Sequence, residues 1–152
     1  MAKTPPVELR AWRALMHVHA TVIDSIDETL RREVGIPGSW YEALVEIALA
    51  GGTMRMNEFA RETTLTKSGA TRFVDRLERA GLVRRETSTT DRRVSQLSLT
   101  EEGRRLQKAA DPHVLRIVAE KFGDHVTGSE AEVMFTALDR ARVASSGLPS
   151  SP

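Results

Sequence analysis

Residues 55–103 read RMNEFARETTLTKSGATRFVDRLERAGLVRRETSTTDRRVSQLSLTEEG and carry the pattern that decides the fold. In this stretch Asn57 can cap a short helix, and Thr66 can cap a longer helix that runs to Ala80. Only residues 63–65 separate the two helices. Two short helices with so tight a break predict a helix-turn-helix.

Beyond the second helix the pattern changes from a helical period to that of strands. Leu82 and Val83 precede a polar segment, residues 87–92, that contains no apolar residue. Apolar residues then return at Val94, Leu97 and Leu99. The pattern predicts a two-stranded ribbon with an exposed loop, followed by a helix that Thr100 can cap.

Amphipathic helices flank this middle segment on both sides. Apolar residues at spacings of three and four from Val7 to Val34 predict one long helix. Ser39 and Glu42 form a capping box, which predicts a second helix that stops at Gly51.

Two further helices are expected on the C-terminal side. Pro112 interrupts the first of them, but the apolar period resumes at once, so we expect one kinked helix rather than two. Thr127 and Glu130 form another capping box, which opens the last helix. The chain is therefore expected to be mainly α-helical with a small β ribbon.

The composition is that of one soluble globular domain: 152 residues, of which 40% are hydrophobic and 28% are charged. The absence of cysteine excludes disulfides, thiolate nucleophiles and cysteine-based metal or redox sites. No apolar run approaches the roughly 18 residues of a membrane span, and the first six residues lack the pattern of a signal peptide. We therefore expect a soluble, cytoplasmic protein with no membrane partner.

The charges are unevenly distributed along a chain whose formal net charge is only +1. Residues 53–99 contain ten basic and six acidic residues, a net charge of +4, while the rest of the chain carries −3. Concentrated positive charge on a helix-turn-helix is expected of a protein that neutralises DNA phosphates.

At 100° per residue, the second helix of the predicted motif has two different faces. Its apolar side chains cluster on one side: Ala70, Phe73, Val74 and Leu77. Its hydrogen-bonding side chains project from the other: Ser68, Thr71, Arg72, Asp75 and Arg79. Such a face can meet base edges in a major groove, although a solvated helix surface gives the same pattern.

The quoted stretch resembles the MarR family of winged helix-turn-helix regulators. TRFVDRLERAGLV is similar to that family's recognition helix running into its first wing strand, and DRR followed by LSLTEEG is similar to its wing return and the start of a long dimer helix. The resemblance implies a winged helix-turn-helix lobe at residues 39–99 and dimerisation helices at 7–34 and 101–145, within a single domain of residues 1–152. It also implies a homodimer that binds a palindromic operator in double-stranded DNA, with one recognition helix and one wing from each protomer.

By position, the resemblance assigns five residues to the major groove: Thr66, Lys67, Ser68, Thr71 and Arg72. It assigns Asp91 and Arg93 to a wing pair, in which Arg93 enters a minor groove and Asp91 orients its guanidinium. Arg92 adjoins this pair and is expected at a phosphate. The alternative for Asp91 is an ordinary turn residue.

The family also commonly binds small aromatic acids or other amphipathic effectors, which usually weaken its affinity for DNA. Trp12, Met16 and His19 share one face of the first helix, at spacings of four and three. Tyr41 could approach them from the second helix, which makes these four residues candidate effector contacts. Core or dimer packing is the alternative for such a stripe. The function expected from the resemblance is a repressor that an effector of this kind releases from DNA.

No cofactor or metal is expected. His17 and His19 are two residues apart and so lie on different faces of a helix, whereas a chelating pair needs a spacing of three or four. No glycine-rich phosphate loop, nucleophile elbow or zinc helix motif is present, so we expect no enzyme. The remaining alternative is a winged-helix module that binds a protein, but it would need an apolar patch on a helix face that is polar here.

Overall fold

The computed structural model describes residues 4–87 and 95–146. Over these residues the chain forms six α-helices, one 3-10 turn and three β-strands. In order they are α1 Val7–Glu33, α2 Gly38–Leu49, β1 Thr53–Arg55, α3 Met56–Glu62, α4 Lys67–Arg79, β2 Val83–Thr87, β3 Ser95–Leu99, α5 Glu101–Lys121, the 3-10 turn Gly123–His125 and α6 Gly128–Ser146. The expected fold, mainly α-helical with a small β wing, is confirmed.

The chain divides into two compact units. The smaller unit contains the N-terminal part of α1, the C-terminal part of α5 and α6, and the larger unit spans Ile23–Leu115. The lobe predicted at residues 39–99 therefore lies entirely within the larger unit.

The larger unit has a hydrophobic core to which both helices and sheet contribute. α4 buries Ala70, Val74 and Leu77, whose spacings of four and three follow the helical period. Other large and fully buried side chains in this core are Leu44, Ile47, Phe59, Val83 and Leu97. Because each large apolar side chain contributes about 1.5–3 kcal/mol when fully buried, the apolar face of α4 is firmly held on the lobe.

The three strands form an antiparallel sheet in the order β1-β3-β2. Leu97 in the central strand lies opposite Met54 of β1 and Arg85 of β2. The predicted ribbon is confirmed as β2 and β3. β1 was not predicted, because its three residues are too few to show a strand period and their partner strand lies far along the chain.

Local hydrogen bonds confirm three of the predicted helix caps. Thr66 Oγ1 accepts a bond of 3.1 Å from the amide three residues later, at the start of α4. Thr100 Oγ1 accepts an equivalent bond of 3.0 Å at the start of α5. The Thr127 amide donates to Glu130 Oε2 at 2.8 Å at the start of α6. α5 also continues through Pro112 as a single helix, as expected.

The predicted capping box at the start of α2 is wrong. α2 already begins at Gly38, so Ser39 and Glu42 lie inside its first turns. Its N-cap residue is Pro37, which makes no side-chain hydrogen bond to the helix. The Gly38 amide instead donates to Oδ1 of Asp27, in α1, at 2.8 Å. A Cβ at Gly38 would lie 3.3 Å from the Asp27 Cα, so a close tertiary contact between α1 and α2 replaces the local cap.

The predicted cap of α3 at Asn57 is also wrong. That helix begins one residue earlier, directly after β1, and Glu58 Oε2 accepts a bond of 3.1 Å from the Arg55 amide. The strand that the sequence did not predict thus ends where the helix begins, and this junction sets the start of α3.

Candidate nucleic-acid interface

The second helix of the helix-turn-helix, α4, leaves its polar face outside the core. The five side chains that the sequence assigns to the major groove are all exposed: Thr66, Lys67, Ser68, Thr71 and Arg72. We call these five residues the α4 surface. They lie at the N-terminal end of α4, where the helix dipole favours anions.

The hydroxyl groups of the α4 surface are partly used by the helix itself. Thr66 Oγ1 caps the first turn and lies 3.4 Å from Ser68 Oγ. Thr71 Oγ1 donates to the Lys67 carbonyl, one turn earlier, at 3.0 Å. Because its proton is engaged in this bond, Thr71 can offer a ligand its oxygen lone pairs and its methyl group.

The cationic side chains of α4 have different surroundings. Lys67 and Arg72 are exposed, and no carboxylate in the described part of the chain forms an ion pair with either. The Arg76 guanidinium lies 5.3 Å from the centroid of the Phe73 ring, and Arg79 Nε donates to a main-chain carbonyl one turn earlier at 3.1 Å. Lys67 and Arg72 are therefore the cations of α4 best placed to meet phosphates or base edges.

The turn that joins α3 to α4 is held by hydrogen bonds despite an unfavourable backbone conformation. Thr63 Oγ1 donates to the Phe59 carbonyl at 2.6 Å, and the Leu65 amide donates to the Ala60 carbonyl at 3.0 Å. Between them, Thr64 has a φ of +53°. A β-branched residue is rare in this left-handed region, so the turn carries a conformational cost.

α4 also holds the first strand of the wing. Arg85 Nη2 donates to Asp75 Oδ1 at 2.9 Å, and the Arg85 amide donates to Glu78 Oε1 at 3.1 Å. This connection was not predicted from the sequence, because it joins two different elements and no local periodicity relates Arg85 to Asp75 or Glu78.

The predicted wing residues Asp91, Arg92 and Arg93 lie outside the described residues. In the strand before them, Arg84 Nε forms an ion pair of 2.9 Å with Glu86 Oε1, and both side chains are exposed. Arg84 and Glu86 therefore add no net charge to the described part of the wing.

Three of the predicted effector residues lie on α1. Trp12 and Met16, together with Arg13 and His17, line a surface cavity of about 310 Å³. His19 is exposed and is not among the residues that line this cavity. Of the three, only Trp12 and Met16 therefore line this cavity.

The fourth predicted effector residue, Tyr41, belongs to a polar network between α2 and α5. Its hydroxyl donates to Asp111 Oδ1 at 2.9 Å, and Gln107 Nε2 donates to both oxygens of the same carboxylate at 3.0 and 2.8 Å. Partial burial and the bond to Asp111 raise the pKa of Tyr41 well above its ordinary value, so the phenol stays protonated. Tyr41 also lines a cavity of about 420 Å³ between α2 and the α3–α4 turn.

Neither a metal site nor a membrane segment is found in the part of the chain that the structure describes. Over those residues, no cluster of three or more histidine, aspartate or glutamate side chains is placed to hold a metal ion. Nor does any helix there combine the length and the apolar character that crossing a bilayer requires.

Residues 34–94 match the model of the MarR family. A shorter stretch of 52 residues is 42% identical to the HTH-type transcriptional repressor MdtR of Bacillus subtilis, a match that covers 34% of each chain. The chain spans from about a third to just over half of the length of the curated relatives it matches.

Two solved structures from Streptomyces coelicolor are similar over nearly the whole chain. AbsC, described as a MarR family transcriptional regulator, has a TM-score of 0.84 and 28% identity to this chain. The match covers 97% of this chain and 100% of the AbsC chain. Sco3205, described in the same way and solved in complex with DNA, has a TM-score of 0.80 and 27% identity to this chain. The match covers 99% of this chain and 94% of the Sco3205 chain. The likeness of fold therefore extends beyond residues 34–94 to the flanking helices.

Proposed function

We propose that this chain is a winged-helix transcriptional regulator of the MarR family, which binds double-stranded DNA with α4 as its recognition helix. The observation that carries the proposal is the α4 surface, a polar and cationic face on a helix whose opposite face is buried in the core. Support comes from Sco3205, which was solved with DNA, and from MdtR, which is named a repressor. We assign no enzymatic activity, because the matched proteins are transcriptional regulators by name.

Each residue of the α4 surface has a role that its chemistry supports. Arg72 would pair bidentately with a guanine edge, while Lys67, a point charge, would bind a phosphate. The Thr71 methyl group would contact a thymine methyl, and Thr66 and Ser68 would meet the sugar-phosphate backbone near the helix N-terminus.

The wing contacts are part of the same proposal. Arg93 would enter a minor groove beside the recognition helix, with Asp91 orienting its guanidinium, and Arg92 would bind a phosphate. Operator binding should then fall more in Arg93→Ala than in Asp91→Ala. The double variant should lose less than the sum, because both side chains act through one guanidinium.

We further propose that the chain acts as a homodimer on a palindromic operator, with residues 7–34 and 101–145 as its dimerisation helices. Support comes from large apolar side chains on these helices that the single chain leaves exposed: Val7, Leu9, Trp12, Leu115, Val133, Phe135 and Leu138. Trp12 is 58% exposed and Val133 is 69% exposed. A second copy of the chain would bury such a surface, and two recognition helices in successive major grooves would lie about 34–36 Å apart.

We also propose that the protein is a repressor and that a small amphipathic effector lowers its affinity for DNA. The repressor would act in the cytoplasm, where the chromosome is. The candidate contacts of the effector remain Trp12, Met16, His19 and Tyr41. Of these four residues, Trp12 and Met16 line the cavity of about 310 Å³, which is large enough for a small ligand and offers it two apolar side chains.

Selection of bound fragments from random duplex DNA tests the function directly, since it returns a palindrome if the proposal is right. Arg72→Ala should then cost about 1–3 kcal/mol of binding free energy and change base preference, whereas Lys67→Ala should weaken all sequences evenly and flatten the salt dependence. Arg10→Ala and Lys108→Ala, at exposed positions outside the lobe, are matched controls and should bind like the wild type. Recovery of no preferred sequence would refute the proposed function.

The dimer is tested by sedimentation at micromolar concentration. A species of twice the chain mass of 16.8 kDa is expected. A monomer alone, or a selected site without two-fold symmetry, would contradict the dimer while leaving DNA binding itself standing.

A further inference from the structure

The wing strand β2 is an edge strand, and α4 holds its free edge. In the sheet order β1-β3-β2, only β3 pairs with β2. On α4, Glu78 accepts the Arg85 amide at 3.1 Å, and Asp75 accepts the Arg85 guanidinium at 2.9 Å. Two carboxylates one turn apart on the recognition helix therefore anchor a single residue of the wing strand.

The side chain of Arg85 differs from the other described cation of this strand. It is 29% exposed, and its Nε atom is buried without a hydrogen-bond partner, whereas Arg84 is 68% exposed. Arg85 is thus turned towards α4 and tied to Asp75, and it is not a residue that simply adds charge to a DNA-facing surface. Asp75 itself lies among the arginines of α4, where an unpaired carboxylate would repel phosphates.

We propose that Asp75 and Arg85 are positioning residues for sequence-specific DNA binding: their ion pair fixes the wing strand against the recognition helix, so that both elements meet DNA at one set spacing. The inference rests on the proposed function. Its physical basis is that a charge-assisted bond between two elements keeps their geometry before DNA arrives, which favours the operator over other sequences. The pair acts on discrimination between sequences and not on attraction to DNA in general.

Asp75→Asn separates these two effects, because it removes a negative charge and releases Arg85 at the same time. Binding to random-sequence duplex should become tighter, and its salt dependence steeper by about one released counterion. The affinity for the operator should rise less than the affinity for random-sequence duplex. The ratio of specific to non-specific affinity should therefore fall about fivefold. Arg85→Gln should lower the same ratio while weakening non-specific binding.

Glu86→Gln is the matched control. It also removes one carboxylate and releases one arginine, Arg84, but that ion pair of 2.9 Å lies within β2 and joins nothing to α4. It should tighten non-specific binding as Asp75→Asn does and leave the specificity ratio within about twofold of the wild type. Asp75→Glu retains the carboxylate and should restore most of the ratio.

The affinities of the wild type and these variants for operator and random duplex are measured at several salt concentrations. Equal specificity ratios in Asp75→Asn and Glu86→Gln would overturn the inference, while a wild type without any preferred sequence would refute the proposed function instead. Amide hydrogen exchange in free protein tests the anchoring separately from DNA binding. The β2 amides should exchange about tenfold faster in Asp75→Asn than in Glu86→Gln, and equal rates would also overturn the inference.

Discussion

Replacement of Gly103 by alanine should destabilise the protein, although the same change normally stabilises a helix. Gly103 is buried in the first turn of α5, where that helix meets the turn between α4 and β2. A Cβ there would fall far inside contact distance of the Leu82 carbonyl oxygen and 3.1 Å from its carbon. The obstacle is main chain, so no side-chain rotation can relieve the clash.

The Leu82 carbonyl is not free to move aside. It accepts a bond of 3.1 Å from the Thr100 amide, and Thr100 Oγ1 lies 3.1 Å from it and 2.6 Å from the Gly81 carbonyl. Overpacking of a tight site costs about 1–3 kcal/mol, and each weakened bond to a buried carbonyl adds about 1 kcal/mol. Against these costs, alanine gains at most about 1 kcal/mol of helix propensity.

The expected net loss in Gly103→Ala is about 2–4 kcal/mol of unfolding free energy, which lowers the Tm by about 5–15 °C in a protein of this size. Thermal and urea unfolding, followed by circular dichroism at matched protein concentration, measure it. Gly128→Ala is the control, because a Cβ at the start of α6 meets no atom within 4 Å. Its stability should stay within about 0.5 kcal/mol of the wild type. If Gly103→Ala has the same Tm and the same unfolding free energy as the wild type, the close approach of α5 to the Leu82 carbonyl is not as described.

Two further predictions concern residues that hold the lobe. The bonds from Arg31 and from the Gly38 amide lower the pKa of Asp27, so its contribution to stability is present above the ordinary carboxyl pKa and is lost as pH falls through the lowered value. Asp27→Asn keeps an acceptor for the Gly38 amide but removes the charge that strengthens both bonds, so it should cost about 0.5–1 kcal/mol at pH 7 and nothing in strong acid; a cost that does not change with pH would contradict this role of the charge. Thr64→Asn should stabilise the lobe by about 1 kcal/mol in urea unfolding, because asparagine tolerates the left-handed conformation that threonine resists. A Thr64→Asn variant less stable than the wild type would show that the threonine hydroxyl or methyl group matters more than the backbone.

The sequence alone determined those features that depend on residues close together in the chain. A helix period shows in any short window, so α4 and the burial of Ala70, Val74 and Leu77 were predicted from spacing. A cap involves residues three apart, so Thr66 and Thr100 could be recognised as helix starts. The exposure of Ser68 and Arg72 follows from the same geometry, because the buried face of a helix dictates which residues lie opposite it.

Only the tertiary structure decided what depends on residues brought together from different elements. Asp27 caps α2 from eleven residues away, in place of the expected Ser39, and Tyr41 reaches Asp111 across seventy residues. Likewise β1 exists because β3 offers it a partner, and Arg85 is an anchor of the wing strand because Asp75 faces it. Such partners are chosen by packing in three dimensions, and a linear pattern of polar and apolar residues contains no signal that pairs one distant side chain with another.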